Sequence, residues 1–173
     1  MGYWPYKVLF EKYKSDCTTF LETGTYKGDS VQDAYDLGFE RIVSIEVEES
    51  LYKECMERFQ PLDAWEQIKL FVGRTEDNIE NLVLDWTKGR TMFWLDAHKG
   101  NKFASSPYKI EIEAIMKHER NDHVIIIDDV DRPYIGENGV KWIKETLSKH
   151  NPFYKFKITQ IHPECGEQLI AYI

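Results

Sequence analysis

The sequence has few of the features that stabilise secreted or membrane proteins. Its three cysteines, Cys17, Cys55 and Cys165, are an odd number and lie far apart, with no Cys-x-x-Cys pair. This usage predicts buried free thiols in a reducing compartment. The longest aliphatic run, Val124–Ile127, is much too short to span a bilayer, and the N-terminus lacks the basic and apolar segments of a signal peptide. We therefore expect a cytoplasmic protein with no membrane partner.

Positive charge is also scarce. The 173 residues include 22 Lys and Arg against 30 Asp and Glu, which gives a formal net charge of −8. Because nucleic-acid binders neutralise phosphates with clustered Lys and Arg, this balance argues against a nucleic-acid partner. Linkers rich in Pro, Gly or Ser are absent as well, while 42% of the residues are hydrophobic. The composition predicts a single folded domain over residues 1–173, which begins with a helical segment over residues 1–17.

Short apolar runs alternate with helix-like segments along most of the chain. Five runs predict strands buried on both faces: Thr19–Glu22, Arg41–Ile45, Ile68–Val72, Thr91–Leu95 and His123–Ile127. Helices are predicted near Ser30–Leu37, Glu48–Phe59, Glu76–Leu84, Tyr108–His118 and Val140–His150. The last two strands, Tyr154–Ile161 and Gln168–Ile173, have no helix between them. The expected fold is a Rossmann-like, doubly wound α/β sandwich, with a mostly parallel seven-stranded sheet and a C-terminal antiparallel β-hairpin.

In such sheets ligands bind outside the carboxyl ends of the strands, so the residues that follow each run carry the functional signal. Gly24 and Gly28 follow the first strand and allow a tight turn before a helix whose N-terminal amides favour a polar or anionic group. Glu46 ends the second strand roughly 20 residues after Glu22, where an acid can accept both ribose hydroxyls. Together they predict a nucleoside-type ligand, although a plain turn and a solvated glutamate would explain each alone. The G-x-x-x-G spacing disfavours an NAD-dependent oxidoreductase.

The turn after the third strand, Gly73–Asn78, has two interpretations. Its small and polar residues suit the edge of an adenine ring, and they also suit the cap of the next helix. Capping is the simpler explanation for Glu76 and Asp77. Thr75 fits both interpretations equally.

Carboxylates follow the fourth and fifth strands. Neighbouring parallel strands would bring Asp96, Asp128 and Asp129 to the same edge of the sheet. Three carboxylates at close quarters repel one another unless a cation or protons compensate them. Because oxygen ligands suit Mg²⁺, Ca²⁺ and Mn²⁺, the pattern predicts a divalent metal site. The alternative is that each aspartate caps its own turn.

His98 lies two residues beyond Asp96, so in extended backbone both side chains point the same way. With an ordinary pKa near ~6.5, a histidine here can take a proton from a substrate hydroxyl. It can also serve as a fourth metal ligand or lie in the loop without a role. The residues alone leave these three possibilities open.

From about Thr19 to the C-terminus the sequence resembles the class I S-adenosylmethionine-dependent methyltransferases. The segment Glu22–Ser30 is similar to their first motif in the ExGxxxGxS form used by metal-dependent O-methyltransferases. The resemblance implies that the residues around the methionine end, the ribose and the adenine of the cofactor are Glu22, Gly24, Gly28, Ser30, Glu46, Thr75 and Asp96. Among these, Glu46 corresponds to the ribose-binding acid and Thr75 lies beside the adenine.

The aspartates are similar to those of the macrocin O-methyltransferase group, which acts on sugar hydroxyls. This likeness implies Mg²⁺ bound by Asp96, Asp128 and Asp129, and a catalytic base at the position of His98. The chain departs from the group there, since the group commonly has aspartate. The implied function is divalent-metal-dependent O-methylation of a small-molecule hydroxyl, on a carbohydrate or carbohydrate-bearing acceptor. The alternative, motivated by His98, is a non-catalytic module that binds S-adenosylmethionine or a related nucleoside.

Contacts with the acceptor are harder to predict. The loop Lys99–Tyr108 follows the predicted metal site and is a candidate substrate gate. Lys27 and Arg132 are candidate contacts for an anionic substrate, although a surface charge is the simpler explanation for both. Aromatic residues that could stack on an acceptor ring are Trp4, Tyr6, Tyr13, Tyr26, Tyr108 and Tyr134. For most of them, packing in the core or between helices is the simpler explanation. Because a domain of this size leaves little room for a separate acceptor domain, we expect the acceptor to be selected by loops, by the N-terminal segment or by a partner subunit in a homo-oligomer.

Overall fold

The strands of the chain assemble into one sheet at the centre of the molecule. The computed structural model describes residues 6–62, 65–98 and 106–173. Seven strands occur in these ranges: β1 (Thr19–Thr23), β2 (Arg41–Glu46), β3 (Ile68–Val72), β4 (Thr91–Leu95), β5 (Val124–Ile127), β6 (Lys155–Thr159) and β7 (Gln168–Tyr172). Their order across the sheet is β3-β2-β1-β4-β5-β7-β6. All neighbours pair in parallel except β7, which is antiparallel to both β5 and β6.

Six α-helices occur in the same ranges: α1 (Tyr6–Tyr13), which precedes β1, and five that connect strands, α2 (Asp29–Asp36), α3 (Glu49–Phe59), α4 (Thr75–Asn81), α5 (Tyr108–Ile115) and α6 (Gly136–His150). A π-helical turn over Leu82–Trp86 continues α4, and a short 3₁₀ turn over Trp65–Gln67 precedes β3. The predicted elements are present with ends shifted by a few residues. Helix α6, for example, begins at Gly136 rather than Val140. None of the helices in the described ranges is both long and apolar enough to cross a membrane.

The sheet is covered by helices on both faces, which explains the continuous apolar runs of its central strands. Successive residues of a strand point to opposite faces, so neighbouring positions enter different layers of the core. Leu21 and Phe93 belong to the layer that includes residues of α4, α5 and α6. Phe20 and Trp94 belong to the layer that includes residues of α1, α2 and α3. The predicted doubly wound sandwich with a final antiparallel hairpin is therefore confirmed.

The strand order fixes the position of the site. The chain proceeds outward from β1 through β2 to β3, and then crosses to the other side of β1 to form β4 and β5. The carboxyl ends of β1 and β4 therefore lie at a topological switch point, where doubly wound sheets leave a crevice for ligands. Cys17 and Cys55 lie in the core layer that includes α1, α2 and α3, and Cys165 lies in the loop between β6 and β7. Each is buried and free of a disulfide, as the sequence predicts.

Candidate functional site

A cavity of about 680 Å³ opens at the carboxyl ends of the strands. This volume lies within the range of roughly 300–1,000 Å³ that is usual for small-molecule sites. The predicted site residues that line it are Gly24, Ser30, Glu46, Thr75, Asp96, His98, Asp128 and Asp129. Glu22 and Gly28 are buried and are not among the residues that line the cavity. The site predicted from the sequence therefore corresponds to one cavity and the layer beneath it.

Two glycines shape the turn after β1. Gly24 has φ +88°, and a Cβ atom there would lie 2.9 Å from the backbone oxygen of Asp96. Gly28 has φ +78°, and its Cβ would lie 2.6 Å from the ring of Phe59. Both positions therefore require glycine, because any other residue would be strained in the left-handed backbone conformation and its Cβ atom would clash with the neighbour. The result is a turn that packs against the end of β4 and leads directly into α2.

Glu46, at the end of β2, is held in place by backbone amides. Its Oε2 accepts a hydrogen bond from the Tyr26 N–H at 2.7 Å, and its Oε1 accepts one from the Glu48 N–H at 2.9 Å. The side chain is only 6% exposed, yet it lines the cavity. Since each carboxylate oxygen can accept more than one hydrogen bond, Glu46 retains capacity for the hydroxyls of a ligand.

Glu22 supports the turn from beneath. It is fully buried and accepts hydrogen bonds from the Ser44 hydroxyl, at 2.6 Å, and from the Ser30 hydroxyl. Burial raises its pKa to about 8, although the two hydroxyl donors act in the opposite direction. Glu22 thus joins β1 to β2 and α2, and it holds Ser30 at the cavity wall.

The three predicted aspartates do meet at one edge of the sheet. Asp128 accepts hydrogen bonds on both oxygens, from the Tyr6 hydroxyl at 2.9 Å and from Gln168 Nε2 at 2.7 Å. Burial, followed by the neighbouring charge of Asp96, raises the pKa of Asp128 to about 7. The next residue, Asp129, has φ +55°, a conformation that aspartate tolerates better than most side chains.

Asp129 also contacts donors on both of its oxygens. Its Oδ2 accepts a hydrogen bond from the Tyr134 hydroxyl at 3.2 Å, and its Oδ1 lies 3.4 Å from Arg132 Nε. Among the described residues, no group of three or more His, Cys, Asp or Glu side chains is placed to hold a metal ion. The predicted convergence of the carboxylates is therefore present, but the predicted metal site is not found in these ranges.

His98 lies between Asp96 and Asp129. Its Nδ1 is 2.9 Å from the backbone oxygen of Asp96 and 3.3 Å from Asp96 Oδ1, and its Nε2 is 3.7 Å from Asp129 Oδ2. The ring stacks on Tyr134, with centroids 5.9 Å apart. The hydrogen bond with Asp96 raises the pKa of His98 to about 9, because the nearby carboxylates favour the charged ring. Burial raises the pKa of Asp96 itself.

Several residues of the site are not evident from the sequence pattern. Tyr6 and Tyr134 were expected as aromatic contacts, whereas the structure uses their hydroxyls as donors to the aspartates. Gln168 was not singled out, although its place at the start of β7, antiparallel to β5, puts it beside Asp128. Lys27 and Arg132 both line the cavity. Trp4 and residues 99–105 of the predicted gate lie outside the described residues.

Solved structures share this arrangement of strands. The O-methyltransferase TomG from Streptomyces achromogenes, involved in tomaymycin synthesis and solved with S-adenosylmethionine, matches with a TM-score of 0.72 and 21% identity, over 96% of this chain and 77% of TomG. An O-methyltransferase from Bacillus cereus, solved with S-adenosylhomocysteine, matches with a TM-score of 0.69 and 18% identity, over 96% and 78% of the two chains.

The chain has the fold of these O-methyltransferases. A putative caffeoyl-CoA O-methyltransferase from Staphylococcus aureus is also similar, with a TM-score of 0.63 and 18% identity over 96% of this chain and 79% of its own. No protein-family profile and no curated protein sequence matches the chain. At these identities the likeness establishes the fold, and the function has to be argued from the cavity.

Proposed function

We propose that the protein is an S-adenosylmethionine-dependent O-methyltransferase that methylates a hydroxyl of a carbohydrate or carbohydrate-bearing small molecule. The observation that carries this proposal is that a single cavity contains three features. These are the glycine turn of β1, the amide-held Glu46 of β2, and a histidine paired with a carboxylate after β4. The structures with S-adenosylmethionine and S-adenosylhomocysteine cited above support the choice of cofactor.

The residues at the β1–β2 end of the cavity fit the cofactor. Gly24 leaves the backbone bare where a side chain would clash with Asp96, and Glu46 offers a carboxylate to the ribose. Thr75, at the start of α4, lies in the cavity wall and suits the adenine. When bound there, S-adenosylmethionine would supply an electrophilic methyl group on a positively charged sulfur.

The residues at the β4–β5 end suit the removal of a proton from the acceptor. Asp96 contacts Nδ1 of His98, which leaves Nε2 directed away from Asp96 and toward the second carboxylate. We propose that Nε2 accepts the hydroxyl proton as the acceptor oxygen bonds to the methyl carbon and the carbon–sulfur bond breaks. Asp96 then stabilises the charged ring, as a carboxylate does for the histidine of a hydrolytic triad.

Aromatic surfaces beside the aspartates support a ring-shaped, hydroxyl-rich acceptor. Tyr6 lines the cavity, and its ring packs on the buried Trp94 with ring centroids 4.6 Å apart. Carboxylates accept hydrogen bonds from hydroxyls, and apolar ring faces pack against the carbon skeleton of a sugar. This combination favours a carbohydrate over a purely apolar acceptor.

The divalent ion implied by the resemblance does not fit the residues as they are placed. Each oxygen of Asp128 already accepts one hydrogen bond from the protein, and no metal-binding group of three or more side chains occurs within the described ranges. The proposed chemistry therefore assigns proton removal to the protein alone.

The proposal is tested by incubating the protein with S-adenosylmethionine and a panel of sugars, nucleotide sugars and phenols. Mass spectrometry then measures the S-adenosylhomocysteine released. We expect release with a carbohydrate acceptor, increasing from pH 7 to 9 as His98 loses its proton. His98→Ala should lower the rate by about 10²-fold or more, while cofactor binding is retained. The control is His150→Gln, at the end of α6 and outside the cavity. Cofactor binding without turnover on any hydroxyl acceptor would instead favour the non-catalytic binding module.

A further inference from the structure

The carboxylate cluster at the ends of β4 and β5 is closed by donors from distant parts of the chain. Tyr6 reaches Asp128 from α1, and Gln168 reaches it from the start of β7. These two donors engage both oxygens of a side chain that is 7% exposed. A divalent ion needs deprotonated oxygens with free lone pairs directed at one point, typically with several such ligands around it. One lone pair of each Asp128 oxygen is engaged by a protein donor, which leaves at most one lone pair per oxygen for an ion.

The loop between β6 and β7 packs directly onto the same cluster. A Cβ atom on Gly166 would overlap Asp129 Oδ1, so the absence of a side chain lets this loop lie against the carboxylate. The loop is fixed by the Glu167 N–H, which donates to Asp131 Oδ1 at 2.9 Å, and by the Val130 N–H, which donates to the Glu167 oxygen at 2.9 Å. The side of Asp129 that faces this loop is therefore occupied by protein.

The space between the remaining carboxylates is filled by His98. Asp96 Oδ1 is buried, and His98 Nδ1 lies 3.3 Å from it. The opposite ring nitrogen faces Asp129 at 3.7 Å, and Arg132 approaches Asp129 from the other side. Because each ring nitrogen of His98 faces a carboxylate, the charged ring compensates the negative charges of Asp96 and Asp129, as a cation would otherwise have to do.

We propose that this site works without a divalent ion, and that the Asp96–His98 pair takes over the hydroxyl activation that an ion would provide. The inference rests on the proposed function, because it concerns how the same acceptor hydroxyl is activated. It also gives a role to the histidine at position 98, where the macrocin O-methyltransferase group commonly has aspartate. An aspartate there would add a fourth carboxylate, whereas the histidine ring separates Asp96 from Asp129.

The test measures Mn²⁺ binding directly, by the electron paramagnetic resonance signal of free Mn²⁺ in titrations of the full chain. We expect the wild type to show no binding up to about 1 mM, the weak end of protein sites for divalent ions. His98→Asp removes the ring and adds a carboxylate, so it should bind Mn²⁺ at least about tenfold more tightly than the wild type. His98→Asn is the matched control, since it removes the ring without adding charge and should stay weaker than His98→Asp.

The outcomes separate this inference from the proposed function. Mn²⁺ binding by the wild type that is abolished by Asp128→Asn would overturn the inference. A His98→Asp variant that gains no Mn²⁺ binding would overturn the role given to His98. S-adenosylhomocysteine binding is measured by calorimetry on the same samples after EDTA treatment. If the wild type fails to bind S-adenosylhomocysteine, the proposed function fails. If it binds S-adenosylhomocysteine and also binds Mn²⁺ at the cluster, only the present inference fails.

Discussion

A buried histidine remote from the cavity should make the fold sensitive to acid. His123 immediately precedes β5, is 1% exposed, and packs against the rings of His118 and Phe93 with centroids 4.6 and 5.2 Å away. Its Nδ1 accepts a hydrogen bond from the Thr91 N–H at 3.2 Å, and its Nε2 is buried with no hydrogen-bond partner among the described residues. Burial, together with the nearby His118, lowers the pKa of His123 to about 3. The folded protein therefore holds this ring in its neutral form.

The size of the effect follows from the difference between the two pKa values. A histidine in an unfolded chain has a pKa near ~6.5. Between this pH and about pH 3, the unfolded state therefore binds a proton that the folded state does not bind. The contribution of the neutral His123 to the free energy of unfolding is complete above about pH 6.5 and is lost as the pH falls toward 3. For one such group the loss is about 2 kcal/mol at pH 5 and about 4 kcal/mol at pH 3.

The prediction is tested by urea unfolding of the wild type and of His123→Asn at pH 8 and pH 5. The asparagine keeps an acceptor for the Thr91 N–H but does not titrate. We expect the wild type to lose about 2 kcal/mol more than the variant over this range. Buried carboxyl groups with raised pKa values, such as Glu22 and Glu111, are present in both proteins and cancel in the difference.

A non-titrating core variant serves as the control. Ile125→Val deletes one methylene from a fully buried side chain of β5, so it should cost about 1 kcal/mol at both pH values. Its pH dependence should match that of the wild type. An equal loss of stability in His123→Asn and the wild type between pH 8 and pH 5 would refute the reasoning.

Two further predictions concern the turn after β1 and the thiols. In urea unfolding, Gly28→Ala should destabilise the protein by about 1–3 kcal/mol more than Gly38→Ala. Both glycines have positive φ, but only at Gly28 would the new Cβ contact a neighbour, Phe59. Equal losses of stability in the two variants would contradict the close packing at Gly28. Burial raises the pKa values of Cys17 and Cys55 to about 11 and 12. Both thiols should therefore react with a thiol reagent at pH 8 only after unfolding. Fast reaction in the native protein would contradict their burial.

The sequence is sufficient to predict which residues meet at the edge of the sheet. Asp96, Asp128 and Asp129 each follow an apolar run, and parallel neighbours must end at the same edge. Glu46 and the glycine turn follow from the same rule. The regular register of a parallel sheet carries this information, so no long-range contact has to be known in advance.

The sequence is not sufficient to predict the hydrogen-bond partners of these side chains. The contact between Tyr6 and Asp128 joins residues 122 positions apart, and it depends on the path of α1 over the sheet. The contact between Gln168 and Asp128 depends on the antiparallel register of β7. Glu22 was expected beside the cofactor, but the hydroxyls of Ser30 and Ser44 engage it beneath the cavity. Local patterns indicate residue types at strand ends, whereas partners arise from tertiary packing.

The central claim is that the cavity binds S-adenosylmethionine through Glu46. The most direct test is a calorimetric titration of the wild type, Glu46→Ala and Glu48→Ala with S-adenosylhomocysteine. Hydrogen bonds to a charged group contribute about 1.5–3 kcal/mol, so losing the carboxylate should weaken binding by roughly 10- to 100-fold. Glu48→Ala keeps the backbone amide that donates to Glu46 and removes only an exposed side chain, so it should bind like the wild type. Absence of binding by the wild type, or wild-type affinity in Glu46→Ala, would contradict the account.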